Sequence, residues 1–267
     1  MERRGLRPVR LFSSDLDGTL AGDRQAARRF AEYWHSLEDV GRPVLVYNSG
    51  RLIEDIMEFV SEEGLPEADY LIGGVGTMIS ATSAPHLATE YTGSLEDGYD
   101  ARRIVELLDA RPELVRQPER YQHAHKSSWY FHDASLDHIE QIEKELKASG
   151  LSVRLVYSSG RDLDVLPGNA DKGKALAWLC DRLGIALHEV VVAGDTDNDR
   201  GMFMLEGVRG IIPGNAYSEL RRLAEERDNV FLADRARADG VIDGLRHWQA
   251  LVGRVSLHSP KVAGKTT

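Results

Sequence analysis

The sequence predicts an α/β protein: a doubly wound, parallel, Rossmann-like sheet carrying an inserted α+β domain. Three observations point there. Short apolar runs alternate with segments of helical period, the pattern of strands joined by crossover helices. Acids, glycines and a lysine crowd the carboxyl ends of those runs, where an open α/β sheet presents its ligand site. Between about residues 84 and 162 the rhythm changes to helices that are each followed by strand-like alternation.

Taken in order, residues 9–14 read as the first strand, and Ala27, Phe30, Ala31 and Trp34 then share one helical face. Residues 43–47 make a second buried strand. Ile53, Ile56, Met57 and Val60 repeat the helical spacing, and residues 70–72 form a short third strand closed by Gly73, Gly74 and Gly76, where the chain can reverse. Inside the insertion, Ile104, Leu107 and Leu108, and later Ile139, Ile142 and Leu146, keep helical period, with strands at 127–131 and 152–157. The βα rhythm resumes with a strand at 163–166, a helix at 172–183 and strands at 190–193, 210–212 and 230–232. Residues 1–83 and 163–250 thus form one core around a cap at 84–162, and 251–267, rich in Ser, Gly and Lys without period, read as a flexible tail.

With 267 residues, 42% of them apolar, the chain suits one large domain with a sizeable insertion. A formal net charge of -10 argues against a nucleic-acid partner, which needs clustered Lys and Arg to release counterions. No apolar run approaches the roughly 18 residues of a membrane span, and the basic residues 1–10 lack the apolar stretch of a secretory signal. No membrane partner is expected, and a cytoplasmic setting follows. The single cysteine, Cys180, lies among Leu176, Leu179 and Leu183 at helical spacing and reads as a core thiol.

The chemistry concentrates at strand ends. The first strand runs into Ser14-Asp15-Leu16-Asp17-Gly18-Thr19, and the 190–193 strand into Gly194-Asp195-Thr196-Asp197-Asn198-Asp199. Carboxylates this close repel one another unless a hard divalent cation sits among them, and Mg²⁺ is typically held by a few carboxylates with substrate phosphate completing the shell. An EF-hand calcium loop is disfavoured, because the sixth position from Asp195 is Arg200 instead of glycine. Asn48-Ser49-Gly50-Arg51 offers a hydroxyl and helix-start amides to an anion. Asp171-Lys172-Gly173 opens a helix with a lysine.

The order Asp-x-Asp-Gly-Thr, Ser-Gly-Arg, Lys-Gly, Gly-Asp-x-x-Asn-Asp resembles the four motifs of haloacid dehalogenase (HAD) phosphatases. Leu163-Asp164-Val165-Leu166-Pro167, the turn Gly74-Val75-Gly76-Thr77, and His125-Lys126 before an aromatic strand are similar to the sucrose-phosphate phosphatases and their mannosylfructose-phosphate relatives. Asn48, where sucrose phosphatases usually show Ser or Thr, and Thr196-Asp197 depart from that pattern and leave the catalytic set whole. The resemblance implies a Mg²⁺-dependent phosphomonoester hydrolase acting on a small-molecule sugar phosphate, a disaccharide phosphate such as sucrose 6-phosphate or mannosylfructose phosphate. It implies no oligomeric state. Asp15 would carry a phospho-aspartate, and Asp17 would act as acid and base. Asp15, Asp195 and Asp199, with the Asp17 carbonyl, would hold the metal, and Ser49, Gly50, Lys172 and Asn198 the phosphate. Arg51, Lys126 and Asp164 would meet the sugar. In the stretch Tyr121 to Phe131, Trp129 and Phe131 are expected to pack inward, and the histidines show no metal-ligand spacing. A phosphosugar mutase, returning phosphate to the sugar, and a non-catalytic sugar-phosphate sensor are the alternatives.

Overall fold

A computed structural model of the chain describes residues 7–37, 41–95, 98–158 and 160–257, the last six by backbone alone. The chain opens with β1 (Leu11–Ser14), α1 (Arg24–His35), β2 (Val44–Asn48), α2 (Ile53–Glu63), β3 (Tyr70–Gly73), β4 (Met78–Ser80) and α3 (His86–Ser94). It continues with α4 (Ala101–Leu108), β5 (Val115–Arg116), β6 (Ser127–Tyr130), α5 (Leu136–Ala148), β7 (Val153–Ser158) and β8 (Asp162–Pro167). It ends with α6 (Lys172–Leu183), β9 (Val190–Ala193), α7 (Arg200–Phe203), β10 (Arg209–Ile212), α8 (Ser218–Glu226), β11 (Val230–Leu232) and α9 (Arg237–Leu257).

Seven strands pair in the order β11-β10-β9-β1-β2-β3-β4, parallel except for the β3–β4 hairpin. Their side chains alternate between two faces. Leu11, Val46, Val190 and Val192 meet Leu176, Leu179 and Cys180 of α6 on one face. Phe12, Leu45, Tyr47 and Val191 meet Phe30 and Trp34 of α1 and Val241, Leu245 and Trp248 of α9 on the other. With both faces covered, β9 and most of β2 are continuous apolar runs, as parallel strands are. Because Ser14 pairs with both Tyr47 and Ala193, the residues that follow β1, β2 and β9 leave the sheet side by side. That register positions the site.

The second sheet is antiparallel, in the order β5-β6-β8-β7. Trp129, Leu163 and Val165 bury one face of it against Ile104 and Leu108 of α4 and Ile142 and Leu146 of α5. Here the structure corrects the sequence reading. Residues 163–166 do not rejoin the parallel sheet, because Leu163 pairs with Trp129 and Asp164 with Val156. The alternation Asp162-Leu163-Asp164-Val165 is that of a half-buried antiparallel strand. In the other direction, α3 lies within the stretch assigned to the insertion, yet Leu87, Tyr91 and Leu95 pack in the cluster of β2 and α6.

Three smaller differences have similar causes. Met57 is 61% exposed, and the β4 hairpin arm is only three residues long, too short for its period to register. Residues 251–257 continue α9 where a tail was expected, with Leu251 packed against the α1 side of the core. Residues 1–6 and 258–267, the rest of the expected signal-free start and tail, lie outside the described residues. Among the described residues no helix is long and apolar enough to cross a membrane.

Candidate active site

Asp15 follows β1 directly, its N–H donating to the Ala193 carbonyl at 3.0 Å, and the residue is 5% exposed. Lys172, first residue of α6, is fully buried and bonds two carboxylates: its Nζ donates to Asp15 Oδ1 and to Asp199 Oδ1, each at 2.6 Å. The other Asp199 oxygen accepts the backbone N–H groups of Asp195 and Thr196 at 3.0 and 3.1 Å. The Thr19 hydroxyl donates to Asp195 Oδ1 at 3.1 Å and stands 3.5 Å from Asp15 Oδ2.

The electrostatics of this cluster are unbalanced. Burial pushes the Asp15 carboxyl well above the usual carboxylate range, with Lys172 opposing it and Asp199 and Asp195 adding to it. Burial and then Asp199 raise Asp195 to about 7. For Lys172 burial works downward, but Asp15 and Asp199 outweigh it and hold the ammonium above its ordinary value. One ammonium therefore faces three carboxylates. Oxygens of Asp15, Asp195 and Asp199 lie within 4.8 Å of one another and could hold a metal ion. Hard oxygen donors with surplus negative charge fit a hard divalent cation better than a soft one.

Close approach of the loops depends on small residues. A Cβ on Gly18, where φ is +77°, would come 2.3 Å from Asp195 Oδ2. A Cβ on Gly173 would come 2.2 Å from the Gly201 carbonyl, so the start of α6 rests directly on α7. Asp171 caps α6 by accepting from Lys174 N, and its other oxygen takes Arg154 of the cap strand β7 at 2.7 Å.

The structure thus brings Asp15, Lys172, Asp195 and Asp199 together, and adds Thr19 to them. Ser49, 1% exposed, directly follows β2, with its oxygen accepting from Arg51 N, and Gly50 comes next, half-buried. Asn198 is half-buried, its Oδ1 held by the Thr196 hydroxyl at 2.8 Å. Asp17 and Arg51 form a separate bidentate pair. Arg51, expected to meet sugar, donates to Asp17 of the loop after β1 and to Asp55 of α2. The Thr19 signal stood in the Asp-x-Asp-Gly-Thr motif itself. The role of Asn48, whose Nδ2 donates to the Lys172 carbonyl at 2.9 Å, had no local signal, because its partner is 124 residues away.

The expected sugar pair stands on the second sheet, Lys126 just before β6 and Asp164 on β8. Lys126 Nζ lies 2.8 Å from Asp164 Oδ1 and donates to Ser128 Oγ at 2.5 Å, and the Ser128 hydroxyl donates to Asp164 Oδ1 at 2.7 Å. Lys126 and Asp164 are 5% and 8% exposed. Lys126 Cδ is 3.6 Å from where a Cβ on Gly74 would stand, so the pair reaches the core's glycine turn. Trp129 and Phe131 are buried, as expected. Cys180 is also buried, its thiol pushed up to about 12 by burial. A hollow of about 760 Å³ opens between cap and core beside Asp197, Arg200 and Tyr217, and not over Asp15.

Residues 8–249 match the sucrose-6F-phosphate phosphohydrolase family. The chain is 53% identical over 243 residues to mannosylfructose-phosphate phosphatase of Agrobacterium fabrum, covering 91% of this chain and 98% of that protein. It is 32% identical over 250 residues to sucrose-phosphatase 1 of Nicotiana tabacum, covering 89% of this chain but 59% of that longer protein. Among solved structures, the sucrose-phosphatase of Synechocystis sp. in complex with sucrose and phosphate superposes with a TM-score of 0.82 at 28% identity, over 91% of this chain and 99% of that one.

Proposed function

We propose, because this chain belongs to the sucrose-6F-phosphate phosphohydrolase family and is a phosphatase of the HAD type, that it hydrolyses a disaccharide phosphate through a phospho-aspartate on Asp15. Mannosylfructose phosphate is the foremost candidate, since the likeness to the A. fabrum phosphatase spans nearly that whole protein. The observation that carries the chemistry is the buried cluster in which Asp15 leaves the central strand against Lys172, Asp195 and Asp199.

In this reading the Asp15 carboxylate attacks phosphorus in line with the leaving sugar oxygen, dividing one hard displacement into two easier ones. Asp17 protonates the departing oxygen and later takes a proton from the attacking water. Ser49, the Gly50 amide, Lys172 and Asn198 take phosphate oxygens, acting where charge spreads in the transition state. Mg²⁺, held by Asp15, Asp195 and Asp199 with the Asp17 carbonyl, would offset the repulsion between the acids and a phosphate dianion. Lys172 alone leaves that repulsion incompletely balanced. The cap residues would then select the sugar, since the phosphate groups account for only one end of the ligand. Phosphate release from mannosylfructose phosphate, sucrose 6-phosphate and p-nitrophenyl phosphate tests the reading. The highest kcat/KM is expected for mannosylfructose phosphate, and release from the aryl ester alone would contradict it.

Lys126→Ala tests the cap assignment. Relative to p-nitrophenyl phosphate, kcat/KM for the disaccharide phosphate should fall about ten- to a hundredfold, the cost of a charged hydrogen bond lost from a buried hydroxyl. The variant should also melt earlier, because Asp164 is left buried without its cation, a loss of roughly 3 to 5 kcal/mol. Assays below the lowered Tm keep the two effects apart. Equal loss on both substrates would show that Lys126 supports the fold and does not read the sugar.

A further inference from the structure

Arg51 follows Ser49 and Gly50, and its guanidinium is occupied on every side. Nε and Nη2 donate to the two oxygens of Asp17 at 2.8 and 2.9 Å. Nη1 donates to both oxygens of Asp55 at 3.1 and 3.0 Å. The centre of the guanidinium lies 3.8 Å from the centroid of the Phe59 ring. The backbone is tied as well, with Arg51 N donating to Ser49 Oγ at 3.3 Å and its carbonyl accepting from Gly74 N at 2.7 Å. Asp55 and Phe59 are four residues apart on α2 and so present one helix face to the arginine.

We propose that Asp55 and Phe59 form a mount for Arg51, whose fork sets the orientation of Asp17, making Asp55 a positioning residue for proton transfer to the leaving group. This rests on the reading of Asp17 as the acid and base. The Asp17 side chain is 56% exposed, and a carboxylate on an open turn samples several rotamers unless something fixes both oxygens. A planar arginine fork does so in a way a lysine does not. A partly exposed arginine held by one carboxylate is itself loosely placed, since ion pairs open to solvent are weak. The second carboxylate and the ring face restrain it before substrate arrives, and that is how positioning groups lower a barrier. The Nη1 bonds to Asp55 do not depend on Asp17, so Asp17 can turn toward a leaving oxygen while Arg51 stays paired.

The test uses leaving groups of unequal need for a proton. A sugar alkoxide requires protonation to depart, whereas 2,4-dinitrophenolate does not. In the full chain with Mg²⁺, Asp55→Ala and, separately, Phe59→Leu are compared with wild type on mannosylfructose phosphate and on 2,4-dinitrophenyl phosphate. Folding should survive, because these ion pairs are partly exposed and leucine retains most of the phenylalanine's bulk. The expected result, read in the first turnover by rapid quench so that the water-activating step common to both substrates is excluded, is a loss of about tenfold in the rate of phosphoryl transfer from the sugar phosphate, less than about twofold from the aryl ester, and KM nearly unchanged for both. Asp17→Asn in the same assay should show a larger loss with the same selectivity. If Asp17→Asn is selective but Asp55→Ala is silent or costs both substrates equally, the mount is wrong and the acid assignment stands. If Asp17→Asn itself lacks selectivity, the acid assignment fails and the proposal falls with it. A rise in KM for the sugar phosphate alone, at constant kcat, would make the arginine cluster a sugar contact and overturn its positioning role.

Discussion

Replacing Asp15 by asparagine is expected to remove turnover, by about a thousandfold or more, because the nucleophilic charge is lost at constant volume. The same substitution should not unfold the protein. Burial holds the Asp15 carboxyl above its ordinary range, so its ionised form is a cost to the folded state at neutral pH, and neutral asparagine removes that cost. Lys172 keeps Asp199 as its partner at 2.6 Å. The Tm of Asp15→Asn in metal-free buffer should therefore equal or exceed that of wild type. A variant that keeps wild-type phosphate release would rule out the covalent route, and one that is inactive only because it is unfolded would leave a low melting transition as its signature.

Removing divalent metal should have an effect of comparable size. The three acids of the cluster face only one ammonium, so a phosphate dianion approaching without a cation meets net repulsion in a buried setting. Chelation is expected to stop phosphate release, and Mg²⁺ to restore it in full. Ca²⁺ should restore it poorly, since its longer bonds and higher coordination number suit the compact set of Asp15, Asp195 and Asp199 less well. Calorimetric titration with Mg²⁺ gives a readout independent of turnover: binding to wild type and strongly weakened binding to Asp195→Asn. Full activity in excess chelator would contradict the assignment.

The parts of this fold that were legible in the sequence are those whose signal is local. The run Val190–Ala193, the helix Lys172–Leu183 and the strand Val230–Leu232 are found where periodicity placed them, because buried parallel strands and capped helices carry their own pattern. The site was legible for a related reason: chemistry-bearing residues sit at the carboxyl ends of β1, β2 and β9, which the parallel register aligns. What was misread depends on partners distant in sequence. β8 precedes a helix and so imitates a βα unit, yet its partners are β6 and β7. α3 looks like part of the insertion until Tyr91 is seen donating to the Gly76 carbonyl and packing beside α6. That Asp17, 34 residues earlier, and Asp55 both bond the Arg51 guanidinium is likewise written in no linear motif.

The most direct test of the account is to trap the phosphoryl group on the protein. Wild-type enzyme with Mg²⁺ and a disaccharide phosphate labelled with radioactive phosphorus, quenched in acid within the first turnovers, should carry label that hydroxylamine releases, as an acyl phosphate requires. Borohydride reduction followed by peptide mapping should place the modification at Asp15, and Asp15→Asn should carry none. Phosphate released at the normal rate with no label on the protein, or label on any residue other than Asp15, would contradict the mechanism.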